Sequence, residues 1–334
     1  MDKALKDRIP VLNFLFMVEV MLYHCESPDN SLAVNGTDVW LNDLISYFVV
    51  MNGIVCMSFF FLVTGFLLFY KLDFQNLGTK LKKRVFTLLV PYVIWELLFS
   101  LKAVVQGSGW TASELLKQIF FLRIWPPLGA FWYLYAVFLL ALLSPVLLVL
   151  FRRKKLSVFL LALMILALEV LKKYAYPRFG YLGNIVLYLP AYMTGAMFGI
   201  HYDGQKDADR IRFLITMLFL GMVLDYQFPQ FALMMTALAV AGASIFVFPV
   251  APWMENRKVY RLSFLLLALH QTVISLTVGK IRALTAMLTP YIFVANLTGR
   301  IFGILLCLAA AAALRAVLLK ISPKLLQVLT GGRC

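Results

Sequence analysis

Apolar runs of about 18 residues or more recur along the whole chain, and this constrains its fold more than any other feature. A helix of that length crosses the hydrocarbon core of a bilayer, and no soluble domain buries so many of them. Composition agrees: of 334 residues, 62% are hydrophobic and 14% charged, with a mean hydropathy of +0.87. The expected fold is all-α, a polytopic transmembrane helical bundle of about ten helices. The spans are read at about 9–25, 45–70, 85–101, 130–150, 156–171, 184–200, 211–227, 231–251, 262–279 and 291–312. No stretch is long and polar enough for a separate soluble domain, so residues 1–334 read as a single integral membrane domain.

The net charge of +15 invites a nucleic-acid reading, but its distribution argues against one. With the N-terminus inside, the even-to-odd connections, both tails and Arg212 hold 22 of the 31 lysines and arginines. That asymmetry is the positive-inside rule and needs no nucleic-acid partner. It places both termini in the cytoplasm, and the chain is expected to be a multi-pass protein of the cell membrane. Clusters such as Arg152-Arg153-Lys154-Lys155 would touch anionic headgroups, which makes membrane lipids partners. The first helix follows Lys3, Lys6 and Arg8 without a small-residue cleavage site, so it is expected to stay. The four cysteines show no CxxC or ligand spacing, and no metal is implied. A disulfide framework is not expected; Cys25–Cys56, at the outer side and nearer mid-depth, is the one conceivable pair.

The first helix, Ile9 to Cys25, carries Asn13, Glu19 and His24, which a lipid-facing span would avoid. A carboxylate near the bilayer centre costs at least ~2.5 kcal/mol, so Glu19 marks a functional site by default. Asn13 and His24 are eleven residues apart, about three turns and ~16 Å along one face. This suggests a polar path running lengthwise through the membrane. Glu19 lies ~140° from His24 and is poorly placed to orient its imidazole, so it is expected to face another helix.

Later spans carry further polar groups. Ser58 and Gly65 share a face of the second helix, beside Phe59-Phe60-Phe61 and Thr64; a small-residue helix contact and an acceptor site both fit. Pro91 should kink the third helix. Glu96 reads either as a second intramembrane carboxylate or as one reaching the headgroups. Thr111-Ala-Ser-Glu114 opens a capped amphipathic surface helix, and Arg123 to Pro127 reads as re-entering. Trp132, Tyr133 and Tyr135 fit an interfacial aromatic belt or an acceptor-binding rim. Glu169 with Lys172 and Lys173 reads as a snorkelling pair, and Asp225 as interfacial. His270, mid-depth in the ninth span, fits a packing histidine or a site. Arg300, roughly 13 Å down the tenth, needs a carboxylate partner, with Glu19 and Glu96 the candidates. Asn35-Gly36-Thr37 has the N-glycosylation form.

In their order these features resemble the acyltransferase-3 family of integral membrane O-acyltransferases. The marks are His24 closing the first helix, Phe59 to Phe66, the basic run Lys82-Lys83-Arg84 leading to Pro91-Tyr92-x-x-Trp95, Trp132-Tyr133-Leu134, and His270. The resemblance implies transfer of an acyl group from cytoplasmic acyl-CoA, acetyl-CoA foremost, to a glycan or lipid-linked sugar outside. His24 is then the general base, with Glu19 as the second residue assigned to catalysis. Asn13, Lys82, Lys83 and Arg84 would meet the donor, and Ser58, Thr64, Glu96, Trp132, His270 and Arg300 the acceptor. Two positions depart from the family pattern: Asn13 and Thr87 stand where the family carries arginines. An exporter or flippase of a glycan or small polar solute, and a non-catalytic family member, are the other readings.

Overall fold

The computed structural model describes residues 3–26, 39–105, 111–121, 129–179, 182–202, 207–224, 229–255 and 257–333. Among them there is no strand. Helices α1 (Lys3–Cys25) and α2 (Val39–Phe69) open the chain. Helix α3 (Leu77–Arg84) passes through a π-helical turn (Val85–Leu89) into α4 (Val90–Val105). Then follow α5 (Ala112–Phe121), α6 (Trp132–Leu142), α7 (Ser144–Leu150), α8 (Lys154–Phe179) and α9 (Leu182–Ile200). The remainder is α10 (Asp207–Leu224), α11 (Pro229–Val247), α12 (Ser263–Leu288), α13 (Ile292–Ile321) and α14 (Pro323–Leu329).

Among the described residues, five segments are long and apolar enough to cross a membrane: Leu5–Cys25, Trp40–Phe69, Leu77–Leu101, Pro252–Leu288 and Ile292–Ile321. A sixth forms if Gly129–Leu142 and Ser144–Leu150, bent by 53° at Leu143, count as one broken span. Large apolar side chains such as Phe302 and Leu305 stand on the outside of α13, as lipid contact requires. The Asn35-Gly36-Thr37 motif, the Arg123–Pro127 segment, Asp225, and the side chains of Glu169, Lys172 and Lys173 lie outside the described residues.

The chain forms two compact units, one of residues 1–9 and 57–253, the other of residues 10–56 and 254–334. In the first, the later half of α2 packs against α9 through Gly65 and Gly195. A β-carbon on Gly65 would collide with the Tyr192 carbonyl, and one on Gly195 with that of Leu62. Only glycines permit so close a backbone approach. This is the small-residue contact expected for Gly65. Lys80 donates to the Leu68 carbonyl at 3.0 Å and the Tyr70 carbonyl at 2.6 Å, satisfying the exposed end of α2.

Pro91 acts one turn earlier than its own position. Its ring would clash with the carbonyl of Thr87, and it has no N–H to offer that oxygen. The preceding turn widens into the π form, in which the Val90 N–H reaches back to the Val85 carbonyl. Helix α5 starts as expected: Thr111 Oγ1 accepts from the Glu114 N–H at 3.3 Å while Glu114 Oε2 accepts from the Thr111 N–H at 2.7 Å. Its far end is tied down by two phenols, Tyr92 to the Ile119 carbonyl and Tyr135 to the Phe120 carbonyl.

The aromatic segment opening α6 points inward. Trp132 is buried beside Phe61 and Tyr188, and the Tyr133 hydroxyl reaches the Phe60 carbonyl at 3.1 Å and Thr64 Oγ1 at 2.9 Å. This corrects the expected belt. The phenol and indole bodies fill the packing between α2, α6 and α9, and the Tyr133 hydroxyl finds a backbone and a hydroxyl partner there. Glu96 is fully buried, which decides against a headgroup-reaching side chain.

In the second unit α12 and α13 are the principal pair. Their approach is set at Gly299, where a β-carbon would meet the Arg282 side chain at 2.7 Å. The Ser322 hydroxyl caps α14, accepting from the Leu325 N–H at 3.2 Å. Cys25, Cys56 and Cys307 are free thiols, so the Cys25–Cys56 disulfide does not form.

Candidate functional site

The last turn of α1 brings the two histidines of the sequence reading together. The His24 and His270 rings lie 4.9 Å apart between centroids, tilted by 53°. His270 is wholly buried, and His24 is half-buried. The His270 ring bonds its own helix through Nδ1, at 2.8 Å from the Leu266 carbonyl and 3.1 Å from that of Leu267. The next residue, Gln271, places its amide nitrogen 3.5 Å from His24 Nε2. Cys307 on α13 reaches the His270 carbonyl through Sγ at 3.9 Å. A half-buried imidazole at a helix end, packed against a second ring, has what a general base requires: a ring nitrogen, access and an oriented setting.

Two residues farther along, the chemistry is ionic. Glu26, just beyond α1, accepts from Arg300 Nε at 2.6 Å and Arg300 Nη2 at 3.1 Å, a bidentate fork. Ser46 Oγ donates to its Oε2 at 2.8 Å, and Arg282 Nη2 stands 3.6 Å from its Oε1. Arg300 Nη2 also reaches Ser46 Oγ at 3.1 Å and Asn42 Oδ1 at 3.4 Å. Asn296 Nδ2 donates to the same Asn42 oxygen at 2.8 Å. Burial works to raise the Glu26 pKa, but the hydrogen bonds and charge of Arg300, with Ser46 and Arg282, outweigh it. The carboxyl is held below its ordinary range.

This corrects the partner expected for Arg300: it is Glu26, in place of Glu19 or Glu96. Depth favoured carboxylates inside spans, whereas the long guanidinium arm reaches a carboxylate at the helix end. Glu19 faces another helix, as its angular position required, and hydrogen-bonds Asn52 of α2. Asn13 is half-buried on α1.

The basic run divides by burial. Lys82 and Lys83 are exposed, whereas Arg84 is half-buried and lies within electrostatic reach of Tyr192 and Tyr133. Thr64 joins the same group through its bond to Tyr133. Ser58 is buried on α2 and its hydroxyl has no hydrogen-bond partner. Thr87 sits half-buried in the π-helical turn.

Sequence reasoning missed Glu26, Asn42, Ser46 and Arg282. The available signal was the apolar run after Arg282, Ala283 to Leu288, which carries α12 nine residues past its expected end at 279. An arginine inside such a helix demands a carboxylate, and Glu26 directly follows His24 and Cys25.

No curated protein and no solved structure matches the chain. A family model for an acyltransferase domain, that of the acyltransferase-3 family, matches residues 8–316. That match takes in residues of both units and includes His24 and His270. On the extent of the match, this membrane protein belongs to the acyltransferase-3 family.

Proposed function

We propose that the chain is a ten-span O-acyltransferase of the cell membrane, with both termini in the cytoplasm. It would move an acyl group, acetyl foremost, from cytoplasmic acyl-CoA to a hydroxyl of an extracytoplasmic glycan or lipid-linked sugar. The observation that carries this reading is the half-buried His24 imidazole at the end of α1, backed by His270 and Gln271, in a chain of the acyltransferase-3 family.

In this reading His24 takes the proton of the acceptor hydroxyl as its oxygen attacks the acyl carbonyl. The same ring then returns that proton to the departing CoA sulfur. Such general-base assistance contributes about 10²–10⁴-fold. Arg84, held in place by its aromatic surroundings, supplies fixed positive charge toward the donor's phosphates, and exposed Lys82 and Lys83 add mobile charge. Asn13, on the His24 side of α1, can hydrogen-bond the donor but contributes no charge. Ser58 and Thr64 hydroxyls, Trp132 and Glu96 are assigned to the acceptor, as packing and hydrogen-bonding groups. Glu19, bonded to Asn52, supports the helix that carries His24. Arg300 acts by holding Glu26 and so the end of α1.

The test is the O-acyl content of envelope glycans in cells producing the chain or its His24→Ala variant at equal protein level. Loss of acylation in the variant is the expected result; retained acylation removes His24 from the mechanism. For the donor, purified protein should melt later in acetyl-CoA. Ligand at about 100 times its dissociation constant adds about 2.7 kcal/mol, and Arg84→Ala should lose that shift. Absence of any shift at millimolar acetyl-CoA would turn attention to glycan export.

A further inference from the structure

We infer that His270 is a positioning residue for His24: the unfilled lone pair on its Nε2, in the ring packed against His24 but not hydrogen-bonded to it in this structure, biases the tautomer and orientation of that ring and stabilises it when it takes a proton. The inference rests on His24 being the base. The geometry starts from two carbonyl oxygens. Leu266 and Leu267 present theirs to His270 Nδ1 at 2.8 and 3.1 Å. A carbonyl can only accept, so Nδ1 bears the hydrogen, and in a neutral imidazole Nε2 is then a bare acceptor. That Nε2 is buried and has no hydrogen-bond partner. An apolar residue would fill this wholly buried place without stranding a ring nitrogen. The ring that packs against this imidazole is His24.

The neighbouring residue addresses the opposite requirement. An amide nitrogen only donates, so Gln271 Nε2 at 3.5 Å from His24 Nε2 leaves the His24 hydrogen on Nδ1. One turn of α12 therefore sets a donor 3.5 Å from His24 Nε2 and, in the ring packed against His24, an unfilled acceptor. The Gln271 contact is long and is given up when a hydroxyl proton arrives. Proton accounting is closed by His24 alone: the acceptor O–H bond breaks, His24 Nε2 gains the proton, and it later passes to the leaving sulfur. His270 gains and loses none. Its neutral ring does for His24 what a carboxylate does in a triad, without burying a charge.

The titratable and charged groups around His24 come from three elements. Tyr23 and Cys25 flank it on α1, with Glu26 beyond; His270 and Arg282 are on α12; Cys307 and Arg300 are on α13. Glu26 is engaged by both arginines, and Glu19 by Asn52 on α2.

The experiment uses full-length protein in detergent, labelled with ¹⁵N-histidine, alongside acyl-transfer rates across pH. In the wild type His270 should show hydrogen on Nδ1 and none on Nε2, and His24 a single Nδ1–H tautomer. The opposite tautomer at His270 overturns the inference before any variant is made. His270→Leu should mix the His24 tautomers and lower turnover at least about tenfold with KM little changed. Its rising pH limb should move down by about one unit, because the imidazolium loses an acceptor. His270→Gln, whose side-chain oxygen can accept, should restore the tautomer, the limb and most of the turnover. An unchanged tautomer and limb in His270→Leu, whatever the turnover, overturns the inference. Retained activity in His24→Ala instead sinks the base assignment, and the tautomer measurement, which needs no turnover, separates the two failures.

Discussion

The end of α1 carries two sites of opposite character only two residues apart. His24 meets neutral groups, with one long contact to Gln271 and a ring packed against it. Glu26 meets two guanidinium groups and a hydroxyl, with its oxygens held by several short bonds. A group whose partners are saturated holds structure; a group left with spare capacity is available for chemistry. The ionic cluster thus fixes the helix end on α2, α12 and α13, and the imidazole it positions remains free to exchange a proton. The cluster's desolvation is offset by its pairing, so removing one member costs far more than the pair contributes.

The largest effects should separate the two sites cleanly. Glu26→Ala leaves Arg300 buried without its carboxylate and should cost about 3–5 kcal/mol. It should appear as lower yield and an earlier thermal melt in detergent. His24→Ala should leave the melt within a few degrees of wild type and remove about 10²–10⁴-fold of the turnover. A variant of Glu26 that melts normally would show the cluster to be surplus to the fold. A His24 variant that unfolds would show the imidazole to be structural, and the contrast between the sites would collapse.

Acid should act on one site before the other. The Glu26 carboxyl is held below its ordinary range in the folded chain, so it binds its proton more readily once unfolded. Its contribution to stability is complete above the unfolded value, about 4.3, and drains away as pH falls through the lower folded value. Melting temperature measured downward from pH 6 should therefore hold level and then fall in the acid range. A Glu26→Gln protein should lack that component of the slope. An equal slope in both proteins would assign acid sensitivity to other carboxylates.

What the sequence reading captured and missed follows the same division between local and distant causes. The α5 capping box and the Pro91 distortion were legible because each depends on residues within one turn. The apolar segments were legible because lipid selects composition over a whole span. His24 and His270 were each visible as polar residues in apolar helices, but their pairing joins positions 246 apart, which only packing sets. Arg300 was correctly seen to need a carboxylate and was given the wrong ones, because depth along a helix ignores the reach of its side chain. Arg282 lies beyond the expected span 262–279 and so drew no attention; Glu26 and Gly299 give it charge and room inside α12. Trp132 and Tyr133 were placed at an interface by residue type, whereas Phe61, Tyr188 and the Phe60 carbonyl draw them inward.

The smallest effects should come from the lesser partner at each site, and they should still differ in kind. Ser46 donates to Glu26 at 2.8 Å and accepts from Arg300 at 3.1 Å, bridging the ion pair. Ser46→Ala should cost about 1.5–3 kcal/mol of stability, the range for hydrogen bonds to charged groups, with turnover per folded molecule unchanged. Gln271 touches His24 only at 3.5 Å, near the limit of a hydrogen bond. Gln271→Leu should leave the melt nearly unchanged and alter turnover less than about tenfold. It should also free Nε2 of His24, so the second His24 tautomer should become visible in ¹⁵N spectra while His270 keeps its hydrogen on Nδ1. If Gln271→Leu instead lowers stability as Ser46→Ala does, the imidazole site is bonded more tightly than its 3.5 Å contact indicates, and His24 has less spare capacity for proton transfer than the comparison assigns it.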